Sequence, residues 1–295
     1  MNAGEALRQY TSLLKQHGLD EAVEDAKVLL CSVLGLSVSQ LFAQSDRTLS
    51  DQETHRMDDL LDKRINRVPV AYLVNSRQFY GMDFYVDSRV LIPRPETEVL
   101  VEEAIKFAKE WRRKNHGVMN IADVGTGSGA IAVALAANIP GSTVYATDIS
   151  EDALSVAAMN IQKHGLEGRI KLAKGYLLQQ IIEKLHMVVA NLPYIKESDL
   201  ALLPPEISKH EPRAALDGGK YGTEIIQELI RQSAGKIEAG GAVLLEIGVG
   251  QEEGIISTVE ADLPGAKIEL TKDLSGINRV LKIVISSFDN DIGLL

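Results

Sequence analysis

A glycine-rich turn between two apolar runs is the feature that most restricts the fold of this chain. Residues 121–124 form a short apolar run, and residues 130–136 are rich in helix formers. The turn between them reads Gly125-Thr126-Gly127-Ser128-Gly129. This order predicts a strand, a tight turn and a helix. Glycines in such a turn allow positive φ and the close approach of a ligand, so we predict the floor of a cofactor site.

Two carboxylates indicate which cofactor the turn binds. Asp148 ends the next β-like run, residues 143–147, where an open α/β sheet presents an acid to the ribose hydroxyls of an adenosine. Asp123 precedes the first glycine, where it would repel a pyrophosphate but attract the ammonium of S-adenosylmethionine. The glycines also satisfy a relaxed dinucleotide fingerprint, so an NAD-type cofactor is the alternative, and a turn without any ligand is the third interpretation. We favour S-adenosylmethionine, contacted by Asp123, Gly125, Thr126, Gly127, Ser128, Gly129 and Asp148. Asn191, in the motif described below, is also expected to contact the cofactor.

The composition restricts the class of protein and its surroundings. The chain has 295 residues, 45% hydrophobic and 24% charged, which is typical of one large or two smaller globular domains. No run is long enough to span a membrane, and the single Cys31 has no disulfide partner, so we expect a cytoplasmic protein. The net charge of −10 argues against nonspecific nucleic-acid binding, and the scattered histidines predict no metal site.

The periodicity of apolar residues divides the chain into three parts. Residues 1–74 show three- and four-residue spacing throughout and predict a small helical bundle, with a capping signal at residues 50–53. Residues 75–92 are rich in aromatic and β-branched residues around turns and predict a β-hairpin linker. Residues 93–295 alternate strand and helix patterns. Because no chemistry-bearing group stands out in the bundle, we expect it to recognise the substrate.

The third part has the pattern of a doubly wound α/β sheet that is mostly parallel. The last two β-runs, residues 267–270 and 279–285, are too close for a crossover helix, so we predict an antiparallel pair there. At the start of this part, Pro95 suits the first position of a helix that continues to Ala108. This helix-start pattern does not explain why a charged residue, Arg94, stands between two prolines.

A chemical motif follows the fourth strand of this sheet, at the edge where open α/β folds bind ligands. It reads Asn191-Leu192-Pro193-Tyr194. A conjugated NH2 nitrogen becomes nucleophilic when both of its hydrogens are held by acceptors. Asn191 Oδ1 supplies one acceptor, the Leu192 carbonyl supplies the other because Pro193 keeps Leu192 extended, and Tyr194 covers the planar group. Most isolated Asn-x-Pro segments merely end a strand, but here the motif follows a cofactor turn and a ribose acid in order.

At this point the chain resembles the protein-(glutamine-N5) methyltransferases that modify class 1 peptide chain release factors. The resemblance covers nearly the whole chain and implies a class I methyltransferase fold with a seven-stranded sheet. Its specific segments are Arg94-Pro95-Glu96-Thr97-Glu98 and Glu211-Pro212-Arg213. The terminal Gly276-Ile277-Asn278-Arg279 also matches, whereas the glycine turn and the asparagine motif occur across many amino-methyltransferases. It implies that Asn191, Leu192, Pro193 and Tyr194 are catalytic and that the acceptor is the glutamine amide of a Gly-Gly-Gln loop.

Two positions depart from the family pattern. Leu192 replaces the first proline of the usual Asn-Pro-Pro-Tyr. The leucine keeps the carbonyl acceptor but makes the backbone less rigid. A motif with leucine at this position also resembles that of the dimethyladenosine transferases of ribosomal RNA. Gly175 removes an acid that the family often has beside the residue that covers the adenine. We expect Tyr176 still to stack on the adenine face, and an exposed loop tyrosine is the alternative.

Three functions are compatible with these motifs. The first is methylation of a glutamine amide in a release factor. The second is methylation of adenine N6 in RNA or DNA. That activity needs a basic groove, and the acidic composition of this chain gives no indication of one. The third is a noncatalytic binding module that retains the fold. The turn, the ribose acid and Asn191 together favour the first.

Overall fold

The computed structural model describes residues 1–286, which form two compact units. Residues 1–76 and 204–210 make up the first unit, and residues 77–203 together with the described residues from 211 onward make up the second. Residues 287–295, which we assigned to the methyltransferase domain, lie outside the described part of the chain.

The N-terminal part of the first unit is helical, as its periodicity predicts. The helix at residues 51–65 begins with the predicted cap, in which Ser50 Oγ accepts from Glu53 N and the Glu53 carboxylate accepts from Ser50 N. The apolar faces of these helices pack into one core. The five helices are α1 (Ala3–Gln16), α2 (Ala22–Leu34), α3 (Val38–Ala43), α4 (Asp51–Ile65) and α5 (Val70–Leu73).

A second segment, Pro204–His210, belongs to this same unit although it follows the asparagine motif in sequence. The buried Arg64 on α4 holds it: Arg64 Nε lies 2.7 Å from Asp25 Oδ2, and Arg64 Nη1 lies 3.2 Å from Glu206 Oε1. A second arginine, Arg67, contacts the same Glu206 oxygen at 3.3 Å. This membership depends on contacts between residues far apart in sequence, and no local pattern indicated it.

The predicted linker hairpin is present at the start of the second unit. Strands β1 (Arg77–Phe79) and β2 (Met82–Phe84) pair antiparallel. Tyr80 and Gly81 form the turn with φ of 50° and 72°, the pair of positive values that matches the twist of a tight hairpin.

The centre of the second unit is a seven-stranded sheet in the order β5-β4-β3-β6-β7-β9-β8. The first five strands in that order are parallel, while β9 pairs antiparallel with both β7 and β8, so the predicted antiparallel end pair is confirmed. The strands are β3 (Met119–Val124), β4 (Ser142–Asp148), β5 (Ile170–Lys174), β6 (Leu185–Ala190), β7 (Ile237–Glu246), β8 (Lys267–Lys272) and β9 (Asn278–Val284). The doubly wound, mostly parallel fold is therefore as predicted.

Helices cover both faces of this sheet, and their apolar sides form two clusters with the strands. The remaining helices are α6 (Thr97–Lys114), α7 (Ala130–Asn138), α8 (Glu151–Lys163), α9 (Pro205–His210, in the first unit), α10 (Glu224–Ser233) and α11 (Glu252–Asp262). Helix α6 begins at Thr97, so the prediction that Pro95 opens it was wrong. The amides of Thr97 and Glu98 bond to the carbonyls three residues back, so a tight turn precedes the helix.

Among residues 1–286, no helix is both long and apolar enough to cross a membrane.

Candidate active site

A cleft opens at the carboxyl ends of β3, β4 and β6, the edge where parallel sheets present their loops. The loops after these strands form its floor, and two further segments form its wall. Its described lining residues are Arg89, Val90, Leu91, Val124, Gly125, Gly127, Asp148, Ile149, Ser150, Ala153, Gly175, Tyr176, Leu177, Asn191, Leu192, Pro193, Pro212, Ala214, Ala215 and Ile225. The cleft thus brings together the glycine turn, the ribose acid and the asparagine motif.

Two glycines of the turn face the cleft, as predicted. Gly125 and Gly127 have φ of +73° and +54°, which side chains rarely adopt. A Cβ on Gly125 would lie 3.0 Å from Leu192 Cδ2, so only glycine lets the turn approach the asparagine motif this closely. Hydrogen bonds to β4 also hold the turn in place, since the amides of Gly125 and Thr126 both donate to the Thr147 carbonyl at 2.9 Å.

Asp148 lies in the cleft at the end of β4 and links two of its loops. Its Oδ2 accepts from Gly127 N and its Oδ1 accepts from Ser150 N, each at 2.9 Å. Both oxygens keep a lone pair, so the carboxylate can still accept from a ribose diol. Ile149 follows it and is 55% exposed within the cleft, beside Tyr176. Sequence analysis missed Ile149, although an exposed isoleucine after the ribose acid suits the apolar face of an adenine.

Asp123 is fully buried and lies under the turn instead of on the cleft surface. Its Oδ2 accepts from Thr126 Oγ1 at 2.6 Å and from Ala132 N at 3.0 Å, so the acid braces the turn against the start of α7. Its Oδ1 has no hydrogen-bond partner. Burial, with a smaller contribution from the nearby Asp148 charge, raises the pKa of this carboxyl to about 7, although its hydrogen bonds from Thr126 and Ala132 lower the pKa. Sequence analysis predicted the cofactor contact but missed this bracing role.

Three more predicted contact residues support the turn and are not among the described residues that line the cleft. Thr126 is buried with its hydroxyl donated to Asp123. The Ser128 carbonyl accepts from Asn160 Nδ2 at 2.8 Å. Gly129 packs on α8, where a Cβ would meet Ala157 at 3.2 Å. Thr126 and Ser128 alternate with the two glycines that line the cleft, and Gly129 lies against α8, so direct cofactor contact from these three residues stays a prediction.

Asn191 stands at the end of β6 and lines the cleft with Leu192 and Pro193. Its Nδ2 donates to Thr97 Oγ1 at 3.0 Å. Within residues 1–286, neither Asn191 Oδ1 nor the Leu192 carbonyl accepts a hydrogen bond. The two acceptors that an amide clamp requires, which belong to neighbouring residues, are therefore both free within residues 1–286.

Tyr194 is half-buried and does not line the cleft among the described residues. Its hydroxyl lies 3.4 Å from Glu246 Oε1, and its carbonyl accepts from Gln251 Nε2 at 2.8 Å. Burial, with the nearby Glu246 charge, raises the pKa of the Tyr194 phenol to about 12. The phenol therefore stays protonated at neutral pH. The expected cover over the acceptor is not seen in this arrangement, because the ring packs toward Gly248.

The two segments most specific to the family resemblance meet in space. Arg94 Nη2 lies 2.5 Å from Glu211 Oε1, and the Glu211 side chain is 1% exposed. Burial raises the pKa of Glu211, while Arg94 lowers it. Because residues 89–91 and 212–215 both contribute to the cleft wall, this ion pair ties the two halves of the wall together. Arg94 thus has a role that sequence analysis could not assign.

These residues fit S-adenosylmethionine. Asp148 would provide the ribose acceptor, Ile149 and Tyr176 would provide apolar surface for an adenine, and Gly125 and Gly127 would provide room at the turn. Asp123, buried under the turn with an unpartnered Oδ1, places an acid at this end of the cleft, which is more compatible with an ammonium than with a phosphate. Within residues 1–286 no group of three or more His, Cys, Asp or Glu side chains is arranged to hold a metal ion.

Known proteins resemble both parts of the chain. The family described as PrmC N-terminal domain matches residues 5–74, and the methyltransferase small domain matches residues 105–203. A release factor glutamine methyltransferase of Bradyrhizobium diazoefficiens is 36% identical over 276 residues, covering 94% of this chain and 92% of the relative. One of Bacillus anthracis is 32% identical over 284 residues, covering 95% and 98%. A solved structure of the hMettl16 catalytic domain with an RNA hairpin has a TM-score of 0.58 at 14% identity, covers 81% of this chain and 84% of that one, and shares the fold alone.

The sheet order, the turn and the ribose acid together define a class I methyltransferase that uses S-adenosylmethionine. Within that class, the identity to curated relatives over nearly the full length settles the family. The chain belongs to the release factor glutamine methyltransferases.

Proposed function

We propose that this protein transfers a methyl group from S-adenosylmethionine to the side-chain amide nitrogen of the glutamine in the Gly-Gly-Gln loop of class 1 release factors. The family supports the substrate class, since its curated relatives carry the name release factor glutamine methyltransferase. The roles given below to individual residues are our assignments.

The observation that carries the proposal is the pair of free acceptors at the end of β6. Asn191 Oδ1 and the Leu192 carbonyl are adjacent in the chain and have no donor within residues 1–286. A primary amide presents two N–H groups from one nitrogen, and two neighbouring acceptors match them. A carboxylate, an ester or a hydroxyl cannot satisfy both acceptors in this way. The clamp therefore selects an NH2 group.

The clamp also supplies the activation that the reaction needs. Bound S-adenosylmethionine supplies an electrophilic methyl group on a sulfonium. An amide nitrogen is a poor nucleophile because its lone pair is delocalised into the carbonyl. Holding both hydrogens draws the nitrogen toward a tetrahedral geometry and frees that lone pair, while the glycine turn and Asp148 fix the cofactor at the other end of the cleft. The alkylated nitrogen then loses one proton readily, so no strong base is required.

Leu192 in place of proline does not remove the second acceptor. Its side chain is 5% exposed and packs on Gly125, so tertiary contacts restrain this residue where a proline ring would otherwise do so. We assign the helical unit to recognition of the release factor, and we place the protein in the cytoplasm, where that substrate acts.

Transfer of radiolabel from S-adenosylmethionine tests the proposal directly. Purified protein is incubated with a class 1 release factor, with the same factor carrying Gly-Gly-Glu in its loop, and with RNA and DNA in parallel. We expect label on the first substrate alone, because the loop glutamate has no NH2 to clamp. Peptide mapping of the labelled factor should find the methyl group on the loop glutamine.

Label on RNA or DNA adenine, with none on the release factor, would assign the site to the alternative adenine-N6 activity. Equal labelling of the Gly-Gln and Gly-Glu factors would exclude the amide clamp, since the acceptor would then be another group on the protein.

A further inference from the structure

The side of Asn191 that faces away from the cleft is held by a residue from another part of the chain. Asn191 Nδ2 donates to Thr97 Oγ1 at 3.0 Å. Thr97 is the first residue of α6 and is 4% exposed. An amide can turn over and exchange its oxygen and nitrogen at little steric cost, so a contact that accepts only from nitrogen decides which atom faces the cleft.

Thr97 is made such an acceptor by a buried acid. The Glu246 carboxyl lies at the same edge of the sheet as Asn191. Burial raises its pKa and the Thr97 hydroxyl lowers it, as a donor to the carboxylate does, so we assign the hydroxyl proton to Glu246. A hydroxyl has one proton, and with that proton engaged Thr97 offers Asn191 only lone pairs. Asn191 must then present its NH2 to Thr97, which leaves Oδ1 for the cleft.

The sheet explains why these residues meet. Ala190 on β6 pairs in register with Leu245 on β7, and Asn191 and Glu246 are the next residues on the two parallel strands. Both side chains therefore emerge at the same edge. The amino end of α6 brings Thr97 to this edge.

Glu246 is a costly residue to keep at this place. It is 1% exposed, its Oε2 has no hydrogen-bond partner, and its other oxygen lies 3.4 Å from the Tyr194 hydroxyl. An apolar residue of similar volume would usually serve stability as well or better in such a setting. Either protonation state of the acid leaves an oxygen that accepts the Thr97 proton. Orientation of the hydroxyl is thus a task that a carboxyl performs and an apolar side chain does not.

We propose that Thr97 and Glu246 are positioning residues that fix the amide of Asn191 with its Oδ1 toward the acceptor nitrogen. Glu246 sets the direction of the Thr97 hydroxyl, and the hydroxyl sets the orientation of the amide. The inference rests on the proposed function only for its kinetic consequence, because the orientation itself is a property of the free protein.

Substitutions at Thr97 and Glu246 separate orientation from packing. Thr97→Val keeps the shape and removes the hydroxyl, whereas Thr97→Ser keeps the hydroxyl. Glu246→Leu lets the Thr97 proton turn toward Asn191, whereas Glu246→Gln keeps an acceptor oxygen. We expect Thr97→Val and Glu246→Leu to lower kcat on release factor about 10-fold or more, with KM changed less than about threefold. Thr97→Ser and Glu246→Gln should recover most of that loss.

A buried hydroxyl elsewhere controls for loss of stability. Ser233 is 1% exposed and donates to the Leu229 carbonyl on α10 at 2.8 Å, so Ser233→Ala removes a comparable hydrogen bond away from the cleft. This variant should retain kcat within about twofold. Thermal melts of all variants identify any that do not fold, and kinetic comparison is made among those that do.

The side-chain amide resonances of Asn191 provide a readout that does not need activity. They are assigned in ¹⁵N-asparagine-labelled protein by their loss in Asn191→Ala. In Thr97→Val the proton that was bonded to Thr97 should move upfield, and in Thr97→Ser it should stay near its original position.

The outcomes distinguish this inference from the proposed function. If wild-type protein labels no release factor, the proposed function fails, and the resonances alone decide the orientation. If wild-type protein is active and Thr97→Val keeps its kcat, or if Thr97→Ser loses as much as Thr97→Val, the inference is overturned. Unchanged Asn191 resonances in Thr97→Val overturn it as well.

Discussion

Asn191 is the residue on which the proposed chemistry depends most. Asn191 lines the cleft, its Oδ1 accepts no hydrogen bond within residues 1–286, and its Nδ2 donates to Thr97 Oγ1 at 3.0 Å. Asn191→Ala removes one of the two acceptors, so we expect kcat to fall by about 10² to 10³ while KM for the release factor changes much less. Steady-state methylation of the release factor measures both constants. Near-normal turnover would remove Asn191 from the reaction.

Asp123 connects the stability of the protein to pH. Burial raises its pKa from 3.8 to about 7, so between these values the folded state binds a proton that the unfolded state releases. Its contribution to stability is therefore complete below about pH 4 and is lost as pH rises through about 7. Asp123→Asn keeps the acceptor for Thr126 and does not titrate. The Tm of the variant minus the Tm of wild type should be larger at pH 8 than at pH 6, by about 2 to 4 °C. Calorimetry of both proteins at both pH values measures this change.

Buried Glu246 has the same sign of pH dependence, since burial raises its pKa to about 7. Wild-type protein and Asp123→Asn share this contribution, so the comparison between them isolates Asp123. A difference in Tm that is the same at both pH values would mean that Asp123 is already ionised in the folded protein at pH 6.

The same substitution tests whether Asp123 also recognises the cofactor. If its free Oδ1 receives the ammonium of S-adenosylmethionine, Asp123→Asn loses a charge-assisted hydrogen bond worth about 1.5 to 3 kcal/mol, or about 10- to 100-fold in Kd. Calorimetric titration with S-adenosylmethionine measures this change. An unchanged Kd in the folded variant would leave Asp123 with its bracing role alone.

At the level of elements, the Arg94–Glu211 pair joins two segments of the cleft wall. Removing Arg94 leaves the buried Glu211 carboxylate without its cation, whereas removing both leaves no buried charge. We expect Arg94→Leu to lower the free energy of unfolding by about 1 to 3 kcal/mol, the lower part of the range for buried pairs because Arg94 is 29% exposed. The double variant Arg94→Leu/Glu211→Leu should be more stable than Arg94→Leu alone. Urea unfolding of both variants checks this order.

At the level of the whole molecule, the division of labour between the two units is still a prediction. All described lining residues of the cleft belong to the second unit. A chain that starts at Asn75 should therefore bind S-adenosylmethionine with an affinity close to that of the full chain. It should lose methylation of intact release factor, because the helical unit we assign to recognition is missing and residues 204–210 lose their partners. Titration and the radiolabel assay measure the two effects; full activity would refute a recognition role.

Local sequence was sufficient for most of the elements and for the meeting of the glycine turn, Asp148 and Asn191 at one cleft. The alternation of apolar runs and turn residues predicted the sheet, since strand and helix periods are imposed by backbone geometry alone. Gly125, Asp148 and Asn191 stand at the ends of β3, β4 and β6, and their positions in the sequence placed them at one edge because parallel strands align their carboxyl ends. The antiparallel end pair followed from the short connection between its strands.

Tertiary structure alone decided which residues act together across long distances in the sequence. The partners of Arg94 and Asn191, namely Glu211 and Thr97, lie 117 and 94 residues away. Membership of residues 204–210 in the helical unit and the burial of Asp123 are likewise products of packing. These features depend on where the elements meet in space. The sequence pattern indicates whether a segment is a helix or a strand, but it does not indicate which other elements that segment packs against.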